Sequence, residues 1–205
     1  MAKRGTTIRI FLVDGVPQGV RVVDRTGWTG ACLAFSRADY VRARQRDEVT
    51  TAGVYVLTGP DPERSDVERV YVGEADEVRA RLDQHQREKD FWTAAYVFVS
   101  KDRSLNKAHV RYLEARLVTL AREAGRAVLE NSTAPQYRGL SEAETADMDA
   151  YLDDRFQGFG RRVALTRALK GAQDRRAYPT SNRRFSWTPT WTPLPPHSMP
   201  ALMIC

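Results

Sequence analysis

The chain has 205 residues, of which 42% are hydrophobic and 28% charged, and this is the composition of a globular protein in water. It contains no stretch of about 18 apolar residues, so we expect no membrane-spanning helix and no membrane partner. Its two cysteines, Cys32 and Cys205, provide neither a disulfide framework nor metal-site spacing. Arg9 and Asp14 interrupt the first apolar run, which argues against a secretory signal and predicts a cytoplasmic protein.

The net charge of +6 comes from the C-terminal segment, residues 158–205. This segment holds eight of the 32 Lys and Arg residues, one of the 26 acidic residues and six of the ten prolines. Such a composition buries too little apolar surface to offset the entropy of ordering, and it predicts a disordered tail. Two alternatives stay open: a basic arm that binds nucleic acid, and translation that leaves the native reading frame after the preceding helix.

Residues 1–50 predict a β-rich N-terminal extension. Two short β-rich runs, 7–13 and 19–23, flank a polar turn and indicate a hairpin. Residues 31–35 are a further candidate strand, and Ser36 with Asp39 indicates the capped start of a short helix. We expect this extension to enlarge a sheet or to contact substrate.

Residues 51–135 predict an α+β domain with a small, mainly antiparallel, three-stranded sheet flanked by helices. The candidate strands are 53–57, 69–73 and 93–99. A helix is predicted over 76–89, and a long amphipathic helix over 104–124 that ends at Gly125. A last helix lies within 136–157 and begins at a capping box of Ser141 and Glu144.

Two tyrosines in the first pair of these strands are predicted to share one face of the sheet. Alternate residues of a strand point to opposite faces, so Tyr55 points away from the valines on either side of it. The same holds for Tyr71. Gly73 follows in the second strand and leaves room for a ligand near the backbone.

Three further polar residues are candidates for the same place. Arg81 and His85 are four residues apart in the predicted helix and therefore lie on one helical face. Glu114 lies among apolar neighbours in the long helix, where a carboxylate needs a partner. A cluster of phenols, an arginine, a histidine and a carboxylate is suited to holding a metal ion and a phosphate.

At these residues the sequence resembles the GIY-YIG nuclease family, in particular a stand-alone bacterial type. Gly53, Val54 and Tyr55 match the first signature triplet, and Tyr71, Val72 and Gly73 match the second. The arginine, histidine and glutamate of the family correspond to Arg81, His85 and Glu114. The family's asparagine is best matched by Asn131, ahead of Asn106. The chain departs from the pattern in the 15-residue interval between the two triplets, which is longer than usual.

The resemblance implies metal-dependent hydrolysis of DNA phosphodiester bonds. It assigns one divalent ion, Mg²⁺ or Mn²⁺, to Glu114 and phosphate binding to Arg81. Tyr55 is the expected general base, provided that nearby cations lower its pKa from about 10. Tyr71 and His85 are expected to orient water and phosphate, with His85 as the alternative proton acceptor. For His109 and His197 we expect structural or solvent-exposed positions.

Two alternatives to DNA cleavage stay open at this stage. A catalytically inactive nucleic-acid-binding module with the same fold would keep most of these residues, and the near-neutral body of the chain favours it. RNA as the substrate would require the same chemistry and differ only in recognition.

Overall fold

A seven-stranded sheet forms the centre of the computed structural model, which describes residues 5–64, 66–132 and 139–158, with side chains up to residue 152. The strands occur in the spatial order β1-β2-β3-β6-β4-β5-β7. All neighbours are antiparallel except β5 and β7, which are parallel. In chain order the strands are β1 Ile8–Leu12, β2 Arg21–Arg25, β3 Gly30–Ser36, β4 Gly53–Pro60, β5 Glu68–Ala75, β6 Ala94–Ser100 and β7 Val128–Leu129.

The α+β class is confirmed, but the prediction of a three-stranded sheet is wrong. The three predicted strands, β6, β4 and β5, form only the middle of the sheet. On one side, β3 pairs with β6 along seven residues, from Gly30 opposite Ser100 to Ser36 opposite Ala94. The physical reason is that β3 is buried on both faces for nearly its whole length, so it requires strands on both sides and cover above and below. The sheet is thus continuous across the predicted boundary at residue 50.

The helices begin and end at residues whose side chains or backbone conformations stabilise those ends. They are α1 Tyr40–Ala43, α2 Val78–Glu88, α3 Lys107–Ala124 and α4 Glu142–Gly158. The Ser36 hydroxyl accepts from the Asp39 amide ahead of α1, and Ser141 and Glu144 form the predicted reciprocal pair ahead of α4. Helix α3 ends at Gly125, whose φ of 59° is the left-handed conformation that glycine adopts most easily.

The two faces of the sheet are covered by different helices. One face carries Val54, Val56, Val70 and Val72, which pack in a single cluster with residues of α3 and α4. The opposite face carries Tyr55, Leu57 and Tyr71, which pack with α1, α2 and Trp92. The two tyrosines and the four valines therefore lie on the opposite faces of the sheet that the alternation predicts.

The N-terminal segment fixes the position of α2. The Tyr40 hydroxyl donates to Asp83 of α2 over 2.7 Å, and Arg44 donates to both oxygens of the same carboxylate. Arg37 donates to the carbonyl oxygens of Gln86 and Lys89 at the C-terminal end of α2, where carbonyl groups lack partners within the helix. Residues 1–50 are thus part of the support for a helix that carries predicted site residues.

Some sequence predictions fall outside the described residues or concern the membrane. The predicted tail, 158–205, lies beyond the described residues apart from Gly158, and so do His197 and Cys205. Within the described parts of the chain, every helix is too short or too polar to cross a membrane.

Candidate active site

Tyr55 and Tyr71 lie side by side on the face of the sheet that α2 covers. Tyr55 is paired with Gly73 and Leu57 with Tyr71 across β4 and β5, and the two phenol ring centroids are 6.3 Å apart. Tyr55 is fully buried, whereas Tyr71 is partly exposed. The predicted common face of the two tyrosines is therefore present.

The two signature glycines are required by close packing. A Cβ atom on Gly73 would collide with the hydroxyl and ring of Tyr55, which crosses directly over this residue. A Cβ on Gly53 would lie 2.7 Å from the carbonyl oxygen of Phe98 in β6. Gly73 thus makes room for a side chain of the site itself, and Gly53 makes room for the neighbouring strand.

His85 forms a buried hydrogen bond with Tyr55. Its Nε2 atom lies 2.8 Å from the Tyr55 hydroxyl, and only 3% of the residue is exposed. The Nδ1 atom is buried without a hydrogen-bond partner. Burial, reinforced by the positive charges of Lys89 and Arg81, lowers the pKa of His85 to about 4. The imidazole is therefore neutral near pH 7, and it can accept a hydrogen bond from the phenol.

The environment of Tyr55 differs from the one expected for a phenolate base. Burial raises the pKa of the Tyr55 hydroxyl, and Tyr71 and Glu114 raise it further. Arg81 acts in the opposite direction but does not compensate for burial. The expectation that nearby cations lower this pKa is thus not met among the described residues, and His85 is the side chain that forms a hydrogen bond with the phenol.

The charges of Arg81 and Glu114 affect the pKa values of both tyrosines. Arg81 is exposed on α2, and its guanidinium donates to Gln84 over 2.8 Å. Glu114 projects from α3, and its charge raises the pKa of both phenols. Charged side chains of α2 and α3 thus affect the pKa values of both phenols, although α3 itself packs on the opposite face of the sheet.

The Glu114 carboxyl is partly buried and holds its proton more tightly than an ordinary glutamate. Burial raises its pKa to about 7, Glu74 raises it as well, and Lys107, Arg81 and Arg111 lower it. Glu74 accepts from Lys107 over 2.9 Å. Glu74 follows Gly73 directly in β5, and by the alternation of the strand it lies on the α3 face of the sheet, opposite Tyr71.

Glu114 offers a hard oxygen ligand of the kind that Mg²⁺ prefers. Within the described ranges, no group of three or more His, Cys, Asp and Glu side chains is arranged to hold a metal ion. Mg²⁺ keeps several waters and often binds through one or two carboxylates, so Glu114 alone offers a suitable ligand, whereas Glu74 faces α3 and is paired with Lys107. The raised pKa of Glu114 also shows that its charged form lacks sufficient compensation from the protein alone.

Asn131 stabilises the edge of β5 instead of reaching the phenols. Its side-chain oxygen accepts from the Val72 amide over 2.9 Å, and its nitrogen donates to the Val72 carbonyl over 2.8 Å. It thus replaces a neighbouring strand at this point. Asn106 caps α3 and accepts from the His109 amide, and His109 in turn accepts from the Asn106 amide, so His109 has the structural position that we expect.

We expect Asn131→Ala to lower the free energy of unfolding by about 1–3 kcal/mol, because the substitution leaves the amide and the carbonyl of Val72 without partners. Chemical denaturation of the variant and the wild type measures this difference. An unchanged denaturation midpoint would contradict the role of Asn131 at the edge of β5.

Comparison with family models, with curated proteins and with solved structures found no match to this chain.

Proposed function

We propose that the protein is a metal-dependent endonuclease that hydrolyses phosphodiester bonds in DNA. The observation that supports this most directly is the buried hydrogen bond between Tyr55 and His85. The charges of Arg81 and Glu114 also affect the pKa of the same phenol. A phenol paired with a neutral imidazole, beside an exposed guanidinium and a carboxylate, is suited to activating water next to a phosphate.

In the proposed reaction, water attacks the phosphorus atom and the bond to the leaving deoxyribose oxygen breaks. Tyr55 accepts the proton of the attacking water while its own hydroxyl proton passes to Nε2 of His85. The low pKa of His85 in the free protein works against this transfer, but a bound phosphate places negative charge nearby and raises it. In this proposal Tyr71, whose ring centroid lies 6.3 Å from that of Tyr55, orients the attacking water.

Arg81 binds the phosphate and offsets the charge that develops during the reaction. Its guanidinium is exposed and presents paired N–H donors that match two phosphate oxygens. A Mg²⁺ or Mn²⁺ ion held by Glu114 would supply Lewis-acid stabilisation of the leaving oxygen. The leaving oxygen finally takes up a proton, which balances the one transferred to His85.

Cleavage of a duplex DNA in Mg²⁺ or Mn²⁺ tests the proposed function. We expect Arg81→Ala to reduce the cleavage rate by about 10²–10³-fold, since removal of one preorganised group that stabilises transition-state charge has this effect. Arg79→Ala is the matched control, because Arg79 lies on the same helix and pairs with Glu77. Equal rates for the wild type and both variants would show that the assigned site is wrong.

A catalytically inactive nucleic-acid-binding module is the alternative function, and the buried, neutral state of the Tyr55 phenol favours it. It predicts DNA binding without cleavage by the wild type in either metal. Parallel assays on DNA and RNA of the same sequence distinguish the two substrates.

A further inference from the structure

A second group of charged side chains lies next to the candidate active site, on the same face of β5. Arg69 and Tyr71 are alternate residues of this strand, so they point to the same face about 7 Å apart. Lys89 follows α2, and its ammonium group lies 4.4 Å from the centroid of the Tyr71 ring. Lys89 also contributes to the low pKa of His85, which confirms that it is close to the site.

Two cations in this group converge on one carboxylate. Glu130 accepts from Arg69 over 3.0 Å through one oxygen and from Lys89 over 3.4 Å through the other. Arginine and lysine bind phosphate oxygens with the same donors that they offer to a carboxylate. The Glu130 carboxylate thus marks a position where an external anion would find two positive groups already in place.

Both cations have contacts other than Glu130 that hold them in position. The Nε of Arg69 donates over 3.0 Å to Asp61, whose side chain is almost completely buried. Asp61 is itself fixed by the backbone amides of Glu63 and Arg64. Lys89 keeps its contact with the Tyr71 ring, and its backbone carbonyl accepts from Arg37 over 2.6 Å.

We propose that Arg69 and Lys89 bind a backbone phosphate adjacent to the one held by Arg81, and that Glu130 occupies this subsite until nucleic acid displaces it. This inference rests on the proposed function, because the phosphate of interest is a neighbour of the one that is cleaved. The subsite extends the contact with the polynucleotide strand along β5, from Gly73 past Tyr71 to Arg69.

Removing the charge of Lys89 and removing the charge of Glu130 are expected to change DNA binding in opposite directions. Lys89→Gln removes a phosphate contact, so we expect weaker DNA binding and a dependence of log K on log salt that is less steep by about 0.9. Glu130→Gln removes the competing carboxylate, so we expect severalfold tighter binding and a steeper salt dependence. The control Lys101→Gln removes a cation that lies beside Asp24 of β2, and it is expected to leave the salt dependence unchanged.

The measurement is fluorescence anisotropy of a labelled DNA duplex with Ca²⁺ as the only divalent ion, over a series of salt concentrations. Thermal unfolding of each variant verifies that the fold is retained. Binding by Glu130→Gln that is equal to or weaker than that of the folded wild type would overturn the subsite.

The outcomes separate this inference from the proposed function. If the wild type cleaves DNA and Arg81→Ala does not, while the Lys89 and Glu130 variants bind like the wild type, the subsite is overturned and the nuclease stands. If the charge variants shift binding in the expected directions but the wild type never cleaves, the subsite is supported and the nuclease activity is overturned.

Discussion

Glu114→Gln is expected to abolish detectable DNA cleavage while increasing the stability of the fold at alkaline pH. The amide is nearly the same size as the carboxyl but carries no negative charge for a divalent ion, so a loss of at least about 10²–10³-fold in rate is expected. Cleavage assays in Mg²⁺ and Mn²⁺ measure this loss. Glu123→Gln is the matched control, since Glu123 is exposed near the end of the same helix.

The stability gain follows from the sign of the pKa shift at Glu114. Its pKa is raised from 4.5 to about 7 in the folded protein, so between these values the unfolded chain has released a proton that the folded protein keeps. The free energy of unfolding therefore falls as pH rises through this window, and the loss is complete above about pH 7. Glutamine does not titrate and avoids the loss.

Denaturation of the wild type and Glu114→Gln at several pH values, without divalent ions, measures this effect. We expect little difference near pH 4.5 and a growing advantage of the variant toward pH 7. Because Glu114 is partly exposed, solvent screening limits the advantage to the order of 1 kcal/mol. A constant difference across the range, or greater stability of the wild type at high pH, would contradict the buried, uncompensated state of this carboxyl.

The opposite effects on activity and stability are what a cation site predicts. A carboxylate that destabilises the fold by itself becomes favourable when an ion compensates its charge. Glu74 contributes to the cost, because its charge raises the pKa of Glu114, and Lys107 reduces it. The charges of Glu74 in β5 and Lys107 in α3 thus set part of the stability cost that a bound cation at Glu114 would offset.

The common face of the tyrosines could be predicted from the sequence, because it depends only on local rules. The two-residue alternation of β4 and β5 places Tyr55 and Tyr71 opposite the valines, and antiparallel pairing of neighbouring segments brings them together. The four-residue spacing on α2 likewise places Arg81 and His85 on one side. These elements required no knowledge of distant contacts.

The remaining features depend on contacts between distant segments and could not be predicted. The pairing of β3 with β6 joins residues 58 to 70 positions apart, and nothing within either segment specifies the other as its partner. The burial of His85 depends on contacts with Tyr55 and Trp92, which lie outside α2. The sequence of α2 alone is equally compatible with an exposed histidine at this position. Asn131 reaches Val72 across 59 positions, and only the folded chain shows that its role is to complete a sheet edge.

Gly73→Ala is expected to destabilise the fold by overpacking the site. The added Cβ would overlap the hydroxyl and ring of Tyr55, which is fully buried. Overpacking of this kind costs about 1–3 kcal/mol, and a domain of this size loses about 2–4 °C of melting temperature for each kcal/mol. Thermal unfolding monitored by circular dichroism measures the change.

The same substitution is expected to impair cleavage even where the variant is folded, because moving the phenol breaks its hydrogen bond with His85. Gly5→Ala is the matched control: its added Cβ would have nothing within 4 Å. A double-mutant cycle of Gly73→Ala with Tyr55→Phe tests the contact directly. The hydroxyl is the atom nearest to the new Cβ, so its removal relieves part of the overlap. The double variant should therefore lose less stability than the sum of the losses in the two single variants. Strictly additive losses would show that Gly73 is required for a reason other than the path of the Tyr55 side chain across β5.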